Sequence, residues 1–338
     1  MRVDQYAFVP ARGGILAADG KLPYAAELTE LLAILPPTRP LHVAAHAEAA
    51  PEHLLRLRTF DAVDAAGTPP GQVTVPPQLR AAFDRCVAEL EGAAVPEQRA
   101  SWARTGWWDE AERWAGLELE PVRLWPLSAV LRNGPVWFKA VFPLFHHEPA
   151  ITLAVGSPVV LRADHERGWM LMREVRATAA DDHHEAMRAL AAVHRAWTSR
   201  VDEALALGAP DRRAPSVLPP TLIHGDFHPG NVVDGTIIDW SDAAIANPLH
   251  DVNHYLLHVE EELRGPLIET YAESWPGVDV RAQADACEPE TYEYIAQSYA
   301  QITAALAPDD RWWFADEEER WLRRASDVRA GRRPSRDR

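Results

Sequence analysis

The feature that most constrains this chain is a polar loop followed at once by two short β-branched runs. The loop reads HGDFHPGN (residues 224–231), and the segment after it reads VVDGTIIDW (residues 232–240). The runs Val232-Val233 and Ile237-Ile238 flank Asp234-Gly235-Thr236, which is typical of a tight hairpin turn with Gly at a position of positive φ. The sequence therefore predicts a polar loop that leads directly into a β-hairpin.

The predicted hairpin brings two metal-ligating side chains together. Asn231 opens the first strand and Asp239 closes the second, so a carboxamide and a carboxylate can converge on one hard cation such as Mg²⁺. Asp226 lies on the loop five residues before Asn231, where it can accept a hydroxyl proton. In-line phosphoryl transfer requires positioning and charge neutralisation more than covalent chemistry. The three side chains therefore point to phosphoryl transfer.

Two other interpretations of this segment stay open. One is a hydrolytic metal centre built from imidazoles, although the HxDxH spacing lacks a second matching cluster and Mg²⁺ prefers oxygen to nitrogen. The other is an ordinary strand-turn-strand without chemistry. The residues that would build the imidazole centre are His224, Asp226, His228, His250, Asp251 and His254.

HGDxxxxN, followed by IDW and then by NPLHD (residues 247–251), resembles the aminoglycoside phosphotransferase and choline kinase family. These are small-molecule kinases with a protein-kinase-like fold. The resemblance implies that Asp226 is the catalytic base and that Asn231 and Asp239 hold Mg²⁺. It also implies that Asp251 braces the catalytic loop from the start of the next helix.

A kinase also needs a cation for the nucleotide phosphates. Of thirty-four Lys and Arg residues only Lys21 and Lys139 are lysines, and Lys139 lies in the strand-like run PVWFKAVF after an Asn133-Gly134 hairpin signal. The resemblance implies that Lys139 contacts the phosphates, whereas a lone strand Lys is otherwise a surface residue. No GxGxxG precedes it, so backbone amides and the Ser128 hydroxyl are expected to hold the phosphates.

Two further segments complete the predicted nucleotide site. Glu148 precedes Pro149 and an apolar run, which marks a helix start. It is the candidate partner of Lys139, or else a favourable charge in a first helical turn. The strand-like run GWMLMREV resembles the last strand and hinge of the family's N-terminal lobe. By this resemblance Met172, Glu174 and Val175 meet the purine, although Met is also an ordinary core residue.

The rest of the resemblance, which spans about residues 118–325, is helical. Residues 185–197 show helical periodicity, and helices are also expected at Tyr292–Leu306 and Trp312–Arg329. In the family such helices form the wall of the acceptor pocket, although a charged helical face is otherwise simply solvated. The side chains that the resemblance places within reach of this pocket are Asp242, His254, His258, Glu261 and Glu262.

The first 115 residues are too many for a linker and sufficient for a small domain. Strands are predicted at Gln5–Pro10, Gly14–Leu16 and Leu41–Ala44, and helices at Tyr24–Leu35 and Gln78–Glu91. Trp102, Trp107, Trp108 and Trp114 are expected to form a packed connector rather than a ligand cage.

Composition narrows the class of partner. A formal net charge of −16 argues against nucleic acid or an anionic membrane and suits a cationic substrate. Cys86 and Cys287 lack metal-site spacing and indicate reduced thiols. The N-terminus lacks the pattern of a signal peptide, so a cytoplasmic location is expected.

The sequence therefore predicts an α+β, bilobal protein-kinase-like fold with a β-rich N-lobe, a mostly helical C-lobe and an extra N-terminal α/β segment. The predicted divisions are an accessory domain at 1–115, the N-lobe and hinge at 116–175, the C-lobe at 176–328 and a basic tail at 329–338.

The predicted function is Mg²⁺-dependent transfer of the γ-phosphate of ATP or GTP to a hydroxyl of a small molecule, with an antibiotic as the first candidate acceptor. A metabolic sugar or amino-sugar kinase is the alternative. A catalytically inactive kinase-like binding module is the third interpretation, against which stands the presence of Asp226, Asn231 and Asp239.

Overall fold

The computed structural model describes residues 1–96, 98–175 and 182–332. The chain divides into two compact units, of which the first comprises Met1–Asn133 and Ala304–Trp313 and the second comprises Gly134–Thr303 and the segment from Phe314 onward. The predicted accessory domain lies within the first unit, and the predicted catalytic loop lies within the second. Residues 333–338 of the predicted basic tail, and 176–181 at the predicted start of the C-lobe, lie outside the described residues.

The first unit is built around a four-stranded sheet with the strand order β4-β1-β6-β5. β6 runs parallel to β1, whereas β4 and β5 are antiparallel to their neighbours. Apolar side chains of one sheet face, including Leu55 and Leu57, pack in one cluster with Phe83. The strands of this unit are β1 (Arg2–Phe8), β2 (Pro10–Ala11), β3 (Gly14–Ile15), β4 (Tyr24–Ala25), β5 (Pro40–Ala50), β6 (His53–Phe60), β7 (Glu120–Leu124) and β8 (Ser128–Asn133). Its helices are α1 (Leu28–Ile34), α2 (Arg80–Leu90) and α3 (Trp107–Ala115).

The predicted helix Tyr24–Leu35 is wrong at its start. Tyr24 and Ala25 pair with β1 as a short edge strand, and the helix begins only at Leu28. Glu27 and Glu30 form a capping box at that point, which satisfies amide groups that the first helical turn would leave unpaired.

The tryptophan cluster belongs to the core of the first unit. Trp107 and Trp108 on α3 are buried, and Trp108 donates from Nε1 to the carbonyl of Pro40 at 2.9 Å. Trp102 donates to the carbonyl of Trp125 at 2.9 Å. Because the indole N–H groups of Trp102 and Trp108 have partners, these two rings fill the core without leaving their own polar atoms unsatisfied.

The second unit begins with strands and continues mainly with helices. β9, β10 and β11 are antiparallel, with β11 between the other two. The strands are β9 (Val136–Val141), β10 (Val160–Asp164), β11 (Trp169–Arg173), β12 (Thr221–Ile223), β13 (Val232–Val233), β14 (Thr236–Ile237) and β15 (Ala244–Ala246). The helices are α4 (Glu148–Ala154), α5 (His183–Trp197), α6 (Val201–Ala206), α7 (Leu249–Leu256), α8 (Glu261–Ala272), α9 (Val280–Ala305) and α10 (Glu317–Arg329).

Helix α5 is the central helix that the periodicity predicted. Asp182 caps its start by accepting from the amides of His184 and Glu185 at 2.8 and 3.3 Å. Its buried face, which includes Met187 and Leu190, lies in the largest apolar cluster of the unit. Helix α5 therefore anchors the strands that carry the loop segments described below.

The C-terminal helices differ in their bounds from the prediction. The predicted helix at Tyr292–Leu306 is the second half of α9, and α10 begins at Glu317 because Pro308–Phe314 forms 3₁₀ turns instead. The α+β class is confirmed, since antiparallel strands precede a mostly helical segment as in the predicted protein-kinase-like fold. Within the described ranges, no helix is long and apolar enough to span a membrane.

Candidate active site

The polar loop lies between β12 and β13. It leaves β12 at His224, and Pro229–Asn231 forms a single 3₁₀ turn before β13. Gly225 has φ +83°, and a Cβ atom there would lie 2.1 Å from the carbonyl oxygen of Asp242. Only glycine fits this position, because a side chain would meet both a strained backbone and the backbone of Asp242.

Asp251 on α7 braces the start of the loop. Its fully buried carboxylate accepts hydrogen bonds from the amides of His224 at 2.6 Å and Gly225 at 2.8 Å, and from His194 Nε2 at 3.1 Å. Burial opposes its ionisation, but the bonds from His194 and the His224 amide hold its pKa below the usual range. His194 is itself buried and bonded through Nδ1 to the Tyr271 hydroxyl at 2.8 Å, so both side chains act as a scaffold.

Asp226 lies beyond this braced segment with 45% of its side chain exposed. Asn231 Nδ2 donates to its backbone carbonyl at 2.9 Å, while His228 Nε2 and His254 Nε2 each stand 3.7 Å from its carboxylate oxygens. Since Gly230 N donates to His228 Nδ1 at 3.0 Å, the His228 proton resides on Nε2 and faces the carboxylate. Sequence reasoning left His228 and His254 as metal candidates and missed their position beside Asp226.

The surroundings of the loop raise the proton affinity of Asp226. Burial, and then the carboxylates of Asp242, Asp239 and Asp251, raise its pKa well above the usual range. For Asp242 burial and Asp239 raise the pKa to about 7. His254 is the opposite case, because burial and the neighbouring His258 lower its pKa to about 3 and keep the ring neutral. Asp226 and Asp242, together with the uncharged imidazoles of His228 and His254, therefore form what we call the acidic recess.

The predicted β-hairpin is confirmed. Val232 pairs with Ile237 and Val233 with Thr236, so the turn is Asp234-Gly235, with φ of +49° and +69° as in a two-residue type I′ turn. Thr236 thus belongs to the strand rather than to the turn.

One further hydrogen bond ties the two ends of the hairpin. Ile238 donates its amide to the carbonyl of Asn231 at 2.9 Å, which places Asp239 diagonally next to Asn231. Asp239 itself has φ +64°, so the chain turns sharply as it leaves the hairpin.

Lys139 joins three elements of the second unit. From β9 its buried Nζ donates to Glu148 Oε1 on α4 at 2.7 Å, to Asp239 Oδ1 at 2.6 Å and to Ser241 Oγ at 3.0 Å. Although burial opposes the charge of Lys139, Asp239 and Glu148 raise its pKa. Lys139 and Ser241 in turn lower the pKa of Asp239 against burial.

Ser241 was not predicted. Its hydroxyl lies 2.8 Å from Glu148 Oε2 and 2.7 Å from Asp239 Oδ1. The structure thus brings together Lys139, Glu148 and Asp239, which are dispersed over a hundred residues.

The contacts of the other predicted site residues do not test their roles. Ser128 is in the first unit, where its hydroxyl oxygen accepts from Trp125 Nε1 at 2.6 Å. Met172 pairs with Trp137 within the sheet, and the Glu174 amide donates to the Pro135 carbonyl at 2.7 Å. Val175 is the last described residue before 182. The roles of these residues in nucleotide binding stay predictions.

The donor chemistry fits Mg²⁺. Because Asn231 Nδ2 donates to Asp226 O, the carboxamide oxygen is the end left to accept a cation, and Asp239 is held as a carboxylate. Mg²⁺ commonly takes one or two such protein ligands and completes its shell with phosphate oxygens and water. Among the residues that the structure describes, no group of three or more His, Cys, Asp or Glu is arranged to hold a metal ion.

Comparison with solved structures returns kinases of small molecules. A choline/ethanolamine kinase family protein from Mesorhizobium loti is 16% identical, with 62% of this chain and 87% of that chain covered and a TM-score of 0.44. A GDP complex of aminoglycoside 2′-phosphotransferase-IIIa is 16% identical, with 63% and 92% covered and a TM-score of 0.42. A macrolide 2′-phosphotransferase from Brachybacterium faecium is 17% identical, with 62% and 97% covered and a TM-score of 0.39.

Comparison at the level of sequence families is more specific. No curated protein matches the chain. The family described as "Phosphotransferase enzyme family" matches residues 157–287, a range that contains the polar loop, the hairpin and Asp251. Over these residues the chain is similar to the phosphotransferase enzyme family, which confirms the resemblance predicted from the loop and hairpin.

Proposed function

We propose that the second unit is an Mg²⁺-dependent phosphotransferase that moves the γ-phosphate of ATP or GTP to a hydroxyl group of a small molecule. The observation that carries the proposal is the buried Lys139, held at 2.7 Å from Glu148 and 2.6 Å from Asp239. A lysine with a free choice of rotamers would extend into solvent. Here two carboxylates fix the ammonium at the end of the hairpin that also carries Asn231.

The roles of the side chains follow from their chemistry. Lys139 supplies a compact cation for the nucleotide phosphates, and Glu148 keeps it in place. Asn231 and Asp239 would hold Mg²⁺, which when bound neutralises charge on the phosphate oxygens. Asp226 orients the acceptor hydroxyl and takes its proton, as the acceptor oxygen bonds to the γ-phosphorus and the nucleoside diphosphate leaves with the bridging oxygen.

The raised pKa of Asp226 is consistent with this role. A carboxylate with a higher proton affinity is a stronger base for a hydroxyl proton than an ordinary one. Its half-exposed side chain is accessible to an acceptor, and the amide contacts of Asp251 hold the start of its loop rigid. This rigidity matters because positioning, rather than covalent catalysis, drives phosphoryl transfer.

The acidic recess supports a cationic acceptor. Asp226 and Asp242 both have raised pKa values because burial and neighbouring carboxylates disfavour their charges. An amine on the acceptor would relieve that repulsion. We therefore propose an amine-bearing antibiotic as the acceptor, in keeping with a resistance or self-resistance role in the cytoplasm.

The test measures nucleoside diphosphate release from Mg²⁺-ATP and Mg²⁺-GTP with a panel of amine-bearing antibiotics and of neutral and amino sugars. Turnover with at least one hydroxylated acceptor is expected, and its mass should rise by one phosphoryl group. Asp226→Asn should lower kcat by about 10²-fold or more while nucleotide affinity, measured by calorimetry, stays near the parent value.

Asp285→Asn, an exposed change on α9, is the control and should keep full activity. Parent-like turnover by the Asp226→Asn protein would remove Asp226 from the catalytic role. Selective turnover of neutral sugars would instead favour the metabolic kinase.

A further inference from the structure

The first unit carries two adjacent arginines on one face of its sheet. Along β6 Leu55 and Leu57 point into the apolar cluster, so Arg56 and Arg58 lie on the opposite face, because side chains alternate along a strand. Gln5 of β1 is the register partner of Arg56 on one side. His46 of β5 is its partner on the other.

Each arginine is tied through Nε to one flanking strand. Arg58 Nε donates to Gln5 Oε1 at 2.8 Å, and Arg56 Nε donates to His46 Nδ1 at 3.3 Å. These bonds fix the orientation of both guanidinium groups. Within the described residues, the terminal Nη atoms of both arginines form no hydrogen bond.

Neither guanidinium has a carboxylate partner in the part of the chain that the structure describes. Other arginines of the same unit do pair, as in Arg2 with Asp4, Arg80 with Asp84 and Arg85 with Asp309. Acidic side chains are abundant in a chain with a net charge of −16. Within the described residues, the charges of these two neighbouring guanidinium groups are therefore not balanced by a carboxylate.

The unpaired charges are costly to the folded unit. Burial, and then repulsion from Arg56, lower the pKa of Arg58 to about 10, and burial also lowers the pKa of Arg56. The guanidinium of Arg56 lies 5.9 Å from the ring centres of both Trp312 and Trp313, near the distance limit of a cation–π interaction, so these rings offset its charge only in part. An anion would offset this cost.

We propose that Arg56, Arg58 and Gln5 form a binding site for a phosphate group, either free or as a monoester on a small molecule. Arg forks match phosphate oxygens bidentately, and the Cα atoms of Arg56 and Arg58, two residues apart on one strand, are about 6–7 Å apart. A phosphate monoester carries about −1.5 to −2 charge at neutral pH, which balances two guanidinium groups, whereas a carboxylate balances one. The Gln5 carboxamide adds an uncharged N–H donor.

The first experiment is a ³¹P NMR titration of the full chain with inorganic phosphate, without nucleotide or Mg²⁺, at constant ionic strength. Arg58→Gln and Arg56→Gln should each weaken phosphate binding by about tenfold or more. Arg80→Gln, an exposed arginine on α2 of the same unit, is the matched control and should leave the affinity unchanged.

A second variant separates this site from the candidate active site. Lys139→Ala should keep phosphate binding, because Lys139 lies in the other unit. Binding that survives Arg58→Gln but is lost in Lys139→Ala would place the anion at the nucleotide site and overturn the proposal. Glycerol 3-phosphate distinguishes the source, since tighter binding than inorganic phosphate identifies a monoester and equal or weaker binding identifies free phosphate.

Two further measurements test whether Arg58 has only a structural role and whether the site binds a carboxylate instead of a phosphate. In phosphate-free buffer, the Arg58→Gln protein should melt at or above the parent temperature, because the change removes repulsion and no ion pair. A fall of several degrees would mean that Arg58 is structural. Acetate should fail to displace phosphate at equal concentration, and equal competition would overturn the assignment to phosphate.

Discussion

Asp251→Asn should destabilise the second unit by about 2–4 kcal/mol. In the parent, Oδ2 accepts from the His224 amide at 2.6 Å and from His194 at 3.1 Å, while Oδ1 accepts from the Gly225 amide at 2.8 Å. An asparagine retains one of the two oxygens. Its NH₂ group must therefore face a backbone N–H that donates to the carboxylate in the parent, and that N–H loses its acceptor.

The magnitude follows from what is lost. A buried donor without a partner costs about 1–3 kcal/mol, and a hydrogen bond to a charged group contributes about 1.5–3 kcal/mol. His194 can exchange its tautomer to accommodate the change, but a backbone amide cannot. Whichever way the carboxamide is oriented, either His224 or Gly225 loses its acceptor, and the loop that carries Asp226 loosens with it.

The assay is urea unfolding of the parent and variant, with the midpoint and the m-value fitted separately. The midpoint should fall while m stays constant, since the surface exposed on unfolding is unchanged. Asp285→Asn, the same chemical change at an exposed position, should stay within about 0.5 kcal/mol of the parent.

The pH dependence gives an independent check on the mechanism. Because the folded-state pKa of Asp251 is lowered from its ordinary value of 3.8, its contribution is fully present above about pH 4 and is lost as pH falls through the folded pKa. The stability gap between parent and variant should thus be constant near neutrality and narrow only in acid. A gap below about 1 kcal/mol at pH 7, or one that does not narrow in acid, would refute the hydrogen-bond argument.

Three shorter predictions concern the neighbouring residues. Asp239→Ala should weaken Mg²⁺-nucleotide binding, and a calorimetric titration that gives the parent affinity would contradict a metal-binding role. Lys139→Arg should lower kcat/KM by about tenfold or more, because a planar guanidinium does not fit between carboxylates set for a compact ammonium. Lys21→Arg is the exposed control. Parent-like kinetics of the Lys139→Arg protein would mean that Lys139 is only a cation on a strand and does not contact the nucleotide phosphates. Gly225→Ala should reduce both activity and melting temperature since its Cβ would lie 2.1 Å from a carbonyl oxygen. Gly71→Ala, where no atom of the described residues other than its chain neighbours lies within 4 Å of the added Cβ, should leave both unchanged.

The parts of the site that the sequence could predict are those in which short segments determine geometry. The backbone at Asn231 lies next to the residue before Asp239 because a two-residue turn closes the strands between them. Glu148 precedes a proline and an apolar run, so its place at a helix start is local as well. The contact of Lys139 with Asp239 joins residues a hundred positions apart, and the sequence could anticipate it only through the resemblance to a kinase family.

Other features had no such local signal. Ser241 contacts Lys139, Glu148 and Asp239, yet a serine after an IDW motif is unremarkable by composition. His254 approaches Asp226 only because α7 packs beside the loop. In both cases tertiary packing, rather than spacing along the chain, decides which side chains share the recess.

Strand β6 is missing from the predicted strands, although its alternating pattern is present in the sequence. Leu55, Arg56, Leu57 and Arg58 alternate as a half-buried strand should, but the surrounding prolines and alanines obscured this signal. In the structure the leucines fill the core while both arginines lack an acidic partner within the described residues. If the alternation served only to place polar side chains on one sheet face, any polar residue would suffice at positions 56 and 58. Two oriented, uncompensated guanidinium groups instead indicate selection for charge at this face, and the phosphate titration of the Arg58→Gln protein tests that inference directly.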